Sequence, residues 1–458
     1  MARRLSAVRR SAFMRSLIQR FFQIRAGEGR LILIFGFLLF LNSFALQLSD
    51  IVSVSGFLSE VGVQEILIVW IVDMTLIIIA ASAQSLFIDR YNRVTLLRAM
   101  IIGFAMIYVL LRLMFSFGLP PWVNYSLLFL LAEQQWLFFP LIFWILASDV
   151  YDFNQTKRLF PLIAAFGFVG QMVGFSLAAA APALLAQLNI TTAELLNVNV
   201  LIYLVMYLLS GLLTKLKVRE TRKKPETVRE TLSEGWGFIK DVPSFRYLML
   251  SMLMVGAVIT VLEYHFLVVT TQTVTAPGEF QTFYSLVRMG EAILSIVLQT
   301  FITSRVIEKC GLKNTFVILP ILIVAGVSWV MAIPGLLSTT GGWLGTKVTF
   351  NTLDQSARKS LQALVPEERR GRVSIFMDSW ILGASVILGS VITGAIVIAG
   401  NIAGSTMAGL GYLAVALLMG ALSVGLIIRM RQVYEACLFN WRLKRRQRTS
   451  AVLDKLSI

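Results

Sequence analysis

The sequence predicts an all-α polytopic membrane protein of about twelve transmembrane helices arranged as two six-helix pseudo-repeats. Three observations predict it. The chain is 57% hydrophobic and 14% charged, with a mean hydropathy of +0.78, whereas a soluble domain carries about 25% charged residues. Its apolar runs are about 20 residues long, the length that crosses the hydrocarbon layer as a helix, and a helix satisfies its own backbone where lipid cannot. Its lysines and arginines gather in every second loop, the asymmetry of an inserted chain.

Residues 1–29 carry Arg3, Arg4, Arg9, Arg10, Arg15, Arg20 and Arg25, interleaved with Leu5, Val8, Phe13, Leu17, Phe21 and Ile24. This is a basic interfacial segment suited to anionic inner-leaflet lipid. Its apolar residues are too scattered for a cleaved signal peptide. The first lobe, 30–214, holds six spans at 31–50, 65–88, 95–117, 124–148, 159–185 and 194–214. A basic cytoplasmic linker occupies 215–246. The second lobe, 247–429, holds spans at 247–270, 280–304, 314–333, 342–362, 372–398 and 405–428, of which the tenth is the most polar. The tail, 430–458, contains Arg442, Lys444, Arg445 and Arg446 with Tyr434, Phe439 and Trp441, a second inner-leaflet segment.

The loops at 89–98, 157–158, 305–313 and 369–372, with both termini and the linker, hold nearly all the lysine and arginine, and the intervening loops are bare of them. Both termini are therefore expected in the cytoplasm, with the chain in the cell (inner) membrane. The formal charge of +16 follows from this rule, so nucleic acid is not an expected partner. Loop 89–95, DRYNRVT, and loop 308–315, EKCGLKNT, place an acid before bases at matching points of the two halves, as a duplicated six-helix unit would.

Charged and polar groups within the spans are the site candidates, because an intramembrane charge faces water or a partner. They are Asp73 in span two; Glu133, Gln134 and Gln135 in span four; Gln171 in span five; Glu263 and His265 in span seven; Arg288 and Glu291 in span eight; Lys347, Asn351, Asp354 and Arg358 in span ten; and Asp378 in span eleven, joined by Asn42 and Gln47 in span one. Lys347, Asn351, Asp354 and Arg358 stand at i, i+4, i+7 and i+11, one helix face. That stripe either lines a cavity, or Lys347 snorkels while Asp354 and Arg358 form a local pair. Arg288 and Glu291, three apart, could pair with each other as a clamp or touch substrate. Glu263, His265, Glu291, Asp73, Asp354 and Asp378 are candidates for coupling or charge balance, since histidine titrates near neutral pH; packing is the plainer role for His265, and hydrogen bonding to a neighbouring helix for Asp73. Gly167, Gly170, Gly174, Gly383 and Gly389 permit close helix approach.

Other classes are disfavoured. A nucleotide-binding G-x-x-x-x-G-K-[ST] loop is absent, and the glycines at 341–345 have the wrong spacing. Neither catalytic residues nor a cofactor is expected. Cys310 and Cys437, the only cysteines, both fall on the cytoplasmic side, and the single histidine leaves no multi-histidine metal site.

Asp89, Arg90 and Arg93 form the D-R-x-x-R of a loop that resembles the major facilitator superfamily, with Ser85 and Asn92 where that family has glycines. The run 143–149, FWILASD, followed by 156–162, TKRLFPL, resembles the bacterial and plastid ATP/ADP translocases, with Ser148-Asp149 in place of Asn-Glu; 364–372, LVPEERRGR, with Asp378 following, is similar to bacterial relatives of that family. The resemblance implies an alternating-access secondary transporter whose spans 1, 2, 4, 5, 7, 8, 10 and 11 line a midplane cavity. It implies a gate at Asp89, Arg90, Arg93, Asp149, Lys157 and Arg158. The expected substrate is a small molecule, an anionic metabolite or a nucleotide in ATP/ADP-type exchange, bound by Lys347, Asn351, Arg288, Glu133 and Gln171. Proton-coupled transport of a neutral or cationic solute is the first alternative, and a non-transporting membrane scaffold the second. The oligomeric state stays open, a monomer among the readings.

Overall fold

The computed structural model describes residue 25 and residues 28–87, 92–188, 194–214, 236–237, 240–362, 365, 373–404 and 408–456. Twelve long helices run through the described residues. They are α1 (Gly29–Glu60), α2 (Ile66–Phe87), α3 (Arg93–Ser116), α4 (Pro121–Val150), α5 (Phe153–Leu188) and α6 (Leu195–Ser210). After the linker come α7 (Pro243–Thr273) and α8, which begins as Pro277–Leu298 and passes through a π turn, Gln299–Thr303, into Ser304–Cys310. A one-turn helix, Leu312–Thr315, precedes α9 (Ile318–Ala332). Helix α10 runs Leu336–Thr349, through a π turn, Phe350–Asp354, to Gln355–Gln362; α11 is the π turn Phe376–Ile381 and Leu382–Ile402; α12 is Ala408–Leu456.

Ten of the segments are long and apolar enough to cross a membrane, and α2 adds a shorter apolar helix, Ile66–Ala81. The remaining long helix is α10, which carries Lys347, Asp354, Arg358 and Lys359 and is the span expected to be the most polar. The molecule is a multi-pass membrane protein.

Several spans, α1, α4, α5, α7 and α8 among them, are longer than expected from hydropathy. Helix α1 continues to Glu60, ten residues past its expected end. Ser53, Ser55 and Ser59 each donate to a carbonyl of the preceding turn, so these serines continue the helix instead of breaking it.

Contacts divide the chain into two compact units. The first takes α1, α3, α4, α5, α6 and residues 277–289 of α8; the second takes α2, α7, the rest of α8 and α9–α12. In the first unit α1 packs most closely on α5. A side chain at Gly170 would run into the Phe40 carbonyl, and one at Gly174 into that of Phe44, so small residues bring the two backbones together. Behind this seam lies a neutral polar network. Gln135 donates to the Asn42 backbone (3.2 Å) and side-chain oxygen (3.3 Å), Tyr108 donates to Gln135 (2.7 Å), and Tyr203 donates to Asn42 (3.2 Å). Ser49 joins it through Tyr108 (2.7 Å) and Asn199. These groups are all buried, and each finds a partner that lipid could not supply.

In the second unit α7 is central and packs against α12, α11 and α10. Gly389 of α11 lies against the Ala257 backbone of α7. Phe245, Leu248, Phe316, Met377 and Met430 form an apolar cluster near one end.

Candidate functional site

Helix α10 organises the site. Gly341 and Gly342 face α9, where an added side chain would meet Trp329 and Val330. The opposite side of α10 meets α7. Trp343 stacks on Phe266, with centroids 4.7 Å apart and planes 10° from parallel. One turn further, Lys347 Nζ donates to Glu263 Oε2 at 2.7 Å. The contacts match antiparallel helices: Trp343 and Lys347 are i, i+4 on one, and Glu263 and Phe266 are i, i+3 on the other. Both members of the ion pair keep about a fifth of their side-chain surface exposed, 21% and 23%. Asn351, exposed, donates to Glu291 of α8 at 3.1 Å.

The expected single stripe of four polar groups is divided. A π turn at Phe350–Asp354 inserts one extra residue per turn, which rotates the remainder of the helix. Lys347 and Asn351 meet the carboxylates of α7 and α8. Asp354 and Arg358 instead pair with each other at 2.7 Å, both buried. Arg358 also lies over the Phe350 ring, 4.9 Å from its centroid, and 3.7 Å from Asp378 of α11. Asp378 further accepts from Lys359 (2.5 Å) and Gln362 (3.1 Å). It too sits in a π turn, Phe376–Ile381. Pairing of Asp354 with Arg358 was one of the two sequence readings; Lys347, by contrast, is held by a partner on α7.

Arg288 bonds Asp50 of α1 at 3.2 Å within the first unit, and Glu291 accepts from Asn351 in the second. Asp50 escaped the sequence reading because span one was ended there. Its signal was present: Ser43, Gln47 and Asp50 are i, i+4 and i+7, so the polar face continues with helical spacing. The segment that presents Arg288 is itself tied down in the first unit. Gln281 donates to the Ala178 carbonyl (2.9 Å) and Thr282 to that of Ala179 (2.9 Å).

Among the other candidates, Glu133 and Gln171 are half-buried in the first unit, and Asp73 is fully buried in the second. His265 Nδ1 meets the Tyr412 hydroxyl of α12 at 2.9 Å, a contact that fits the packing role. Of the expected gate, Asp89 and Arg90 lie outside the described residues. Arg93 forms an ion pair with Asp149, joining the first turn of α3 to the last of α4. Lys157 lies on α5 with its side chain outside the described set. Arg158 pairs with Glu28 at 2.7 Å, and Glu28 also accepts from Gln155 (3.1 Å) and the Arg25 backbone (2.8 Å). The Arg158 hydrogen bond holds the Glu28 carboxyl down at about 2; burial opposes it, and Arg25 and Gln155 add to it. Glu28 was also missed, though a lone acid in a basic segment is itself a signal.

Residues 119–335, from the start of α4 to the end of α9, match the family described as TLC ATP/ADP transporter. Among solved structures, the nucleoside transporter NupG is similar with a TM-score of 0.65 at 14% identity, over 88% of this chain and 99% of that one. A bacterial homologue of the iron transporter ferroportin in its inward-facing state gives 0.63 at 15% identity, over 89% and 100%. A bacterial homologue of the lysosomal transporter Spinster gives 0.56 at 14%, over 90% and 97%. Comparison with curated protein sequences finds no match. The chain shares the fold of these solved transporters.

Proposed function

We propose that this transporter carries an anionic small molecule, with nucleotides the leading class, and that Lys347 meets the negative charge. The observation that carries the reading is the Lys347–Glu263 pair at 2.7 Å. A charge in a membrane bundle needs a partner, and a pair with a fifth of its surface open can exchange that partner. A substrate phosphate or carboxylate would replace Glu263 on Lys347, with Asn351 as a neutral donor one turn away. The family match over 119–335 supports nucleotides. Arg288, Glu133 and Gln171 are the further substrate contacts, and Asp50 is the resting counterion of Arg288. Asp89, Arg90, Arg93, Asp149, Lys157 and Arg158 form the inner gate, with Glu28 added to it. The alternating basic loops support the cell (inner) membrane with both termini cytoplasmic, and the basic termini suit anionic lipid. The role is non-enzymatic, and a monomer suffices for it.

The test is uptake of labelled ATP into proteoliposomes preloaded with ADP or with buffer. Uptake only with internal ADP is expected, and it is lost in Lys347→Gln although that variant folds. Full activity of Lys347→Gln removes Lys347 from the site.

A second reading has its own observation. Glu263, Glu291 and Asp73 place three carboxylates in α7, α8 and α2 of the second unit, against Lys347 alone in that part of α10. This excess of acid favours a proton-coupled carrier of a neutral or cationic solute. Uptake of such a solute driven by a proton gradient, with no response to internal ADP, would replace the first reading.

A further inference from the structure

Among the described residues six arginines are buried or half-buried, and five of them face a carboxylate. Arg93 has Asp149, Arg112 has Glu194, Arg158 has Glu28, Arg288 has Asp50 and Arg358 has Asp354. Arg98 of α3 is the exception. It is half-buried, and its guanidinium lies over the Tyr207 ring of α6, 4.6 Å from the centroid, with no acidic partner among the described residues. Its Nε is closed off without a hydrogen bond, whereas its two terminal nitrogens are not closed off in this way. Stacking on a ring holds a guanidinium in place, but a ring is not a counterion. The charge of Arg98 is left for something outside these helices to balance.

The surroundings say what that is. Helix α3 packs chiefly on α4 and α6, and α6 chiefly on α3 and α1. One turn of α6 before Tyr207, Tyr203 meets Phe104 and Tyr108 of α3, with centroids 5.6 and 5.5 Å apart, which fixes the two helices against each other. On α6, Leu201, Leu204, Val205 and Leu208 are exposed apolar side chains, a surface for acyl chains. Arg98 lies in the second turn of α3 and Tyr207 in the last turn of α6, so the pair sits near one end of both helices. In the sequence Arg90 and Arg93 lie just before Arg98, and Lys215 and Lys217 follow α6. This is the basic end, and basic ends meet the leaflet that carries anionic lipid. Thr95, exposed and three residues before Arg98, adds a hydroxyl on the same side of α3. Asp149 of α4, the acid at this end of the neighbouring helix, is committed to Arg93.

We infer that Arg98 and Tyr207 form a headgroup site for an anionic phospholipid, with the phosphate on the terminal nitrogens of Arg98 and the acyl chains along α6. The bound lipid supplies the counterion that the described residues do not. Arginine suits both halves of the task, because its planar fork takes a phosphate edge-on while its face stays on the ring. Lysine would keep the charge and lose the fork and the stack. The site lies within the first unit and does not depend on which substrate is carried.

The test is native mass spectrometry of the purified full-length protein, released from nanodiscs of phosphatidylcholine with a minor share of phosphatidylglycerol. Wild type should retain one more phosphatidylglycerol than Arg98→Gln, whose affinity for that lipid should be about tenfold lower. Retention of phosphatidylcholine should be the same in both, and Arg98→Lys should fall between them. Arg429→Gln removes the same charge from an exposed position on α12 and should retain phosphatidylglycerol as wild type does. Added inorganic phosphate should not displace the lipid. If Arg98→Gln does not fold, Tyr207→Leu, which removes the ring and leaves the charge, is measured with the same direction expected. Equal retention by wild type and the folded variants overturns the site. An equal loss in Arg429→Gln reduces it to general surface charge and also overturns it. Displacement by inorganic phosphate overturns the lipid assignment, as does a dimer that retains no lipid and that Arg98→Gln splits. Absence of ATP uptake, which ends the nucleotide reading, leaves each of these outcomes as it stands.

Discussion

Helices α1 and α10 both carry polar groups through an apolar bundle, and they handle them in opposite ways. The groups of α1, Asn42 and Ser49, are neutral and buried, and Gln135, Tyr108, Asn199 and Tyr203 bond to them in a closed set. The exception on α1 is Asp50, which reaches outward to Arg288. The groups of α10 are charged, partly exposed around Lys347, and interrupted by a π turn. A buried network of neutral groups bonded to one another has little reason to change partners and fixes its helices. A charged pair that keeps part of its surface exposed can change partners where solvent or substrate compensates either charge. Polarity inside a membrane helix thus marks function when it is charged and accessible, and structure when it is neutral and closed.

The comparison can be broken most strongly at α10. Lys347→Gln should lower uptake by about 100-fold, the loss typical of removing one partner from a desolvated charge contact, while the protein still folds. Lys347→Gln/Glu263→Gln should recover most of any lost stability through an amide–amide bond, to within about 1 kcal/mol of wild type, and should leave uptake lost. Recovery of uptake in the double variant would make the pair a structural clamp like the network of α1.

The first unit should respond in stability, not in flux. Gly170→Val drives a side chain into the Phe40 carbonyl and separates α1 from α5. A cost of about 1–3 kcal/mol is expected at the least, read as a fall in melting temperature or in folded yield. Gln135→Leu removes its bonds to Tyr108 and to the Asn42 oxygens, which keep Ser49 and Tyr203 as partners, at about 0.5–1.5 kcal/mol for each bond lost. Uptake per folded molecule should stay near wild type; a large loss would move Gln135 from scaffold to site.

The smallest effect sharpens the reading of Glu28. Its carboxyl is held below its ordinary value of 4.5, at about 2. The Arg158 contact therefore stabilises the fold fully above pH 4.5 and is lost as pH falls towards 2. The melting-temperature gap between wild type and Glu28→Gln should be constant above pH 4.5 and close as pH falls through that window. A gap that is the same at every pH would make the contact independent of the charge on Glu28.

Much of the fold was legible. Every second loop is basic, the spans recur at bilayer length, and the segment read as the most polar span, 342–362, lies in α10, the helix outside the apolar set. Lys347, Glu263, Asn351 and Glu291 were all visible as intramembrane polar groups. Their pairing was not. The face of α10 was drawn with a uniform helix, and the π turn at Phe350–Asp354 broke it. Asp50 was lost with the end of span one, because hydropathy falls where serines enter, while the helix goes on by bonding those serines to its own carbonyls. The spacing of Arg288 and Glu291 gave no sign that Asp50 of α1 and Asn351 of α10 would meet them.

The sequence by itself determined that this chain lives in a membrane and which polar groups are costly to bury. Those properties are sums over local composition, and lipid reads them segment by segment. Which carboxylate meets Lys347, which helix receives Arg288, and where a single extra residue turns Asp354 and Arg358 away from Asn351 were decided only by the tertiary structure. Such choices depend on the register of one helix against another, and register is set by contacts between residues far apart in the chain.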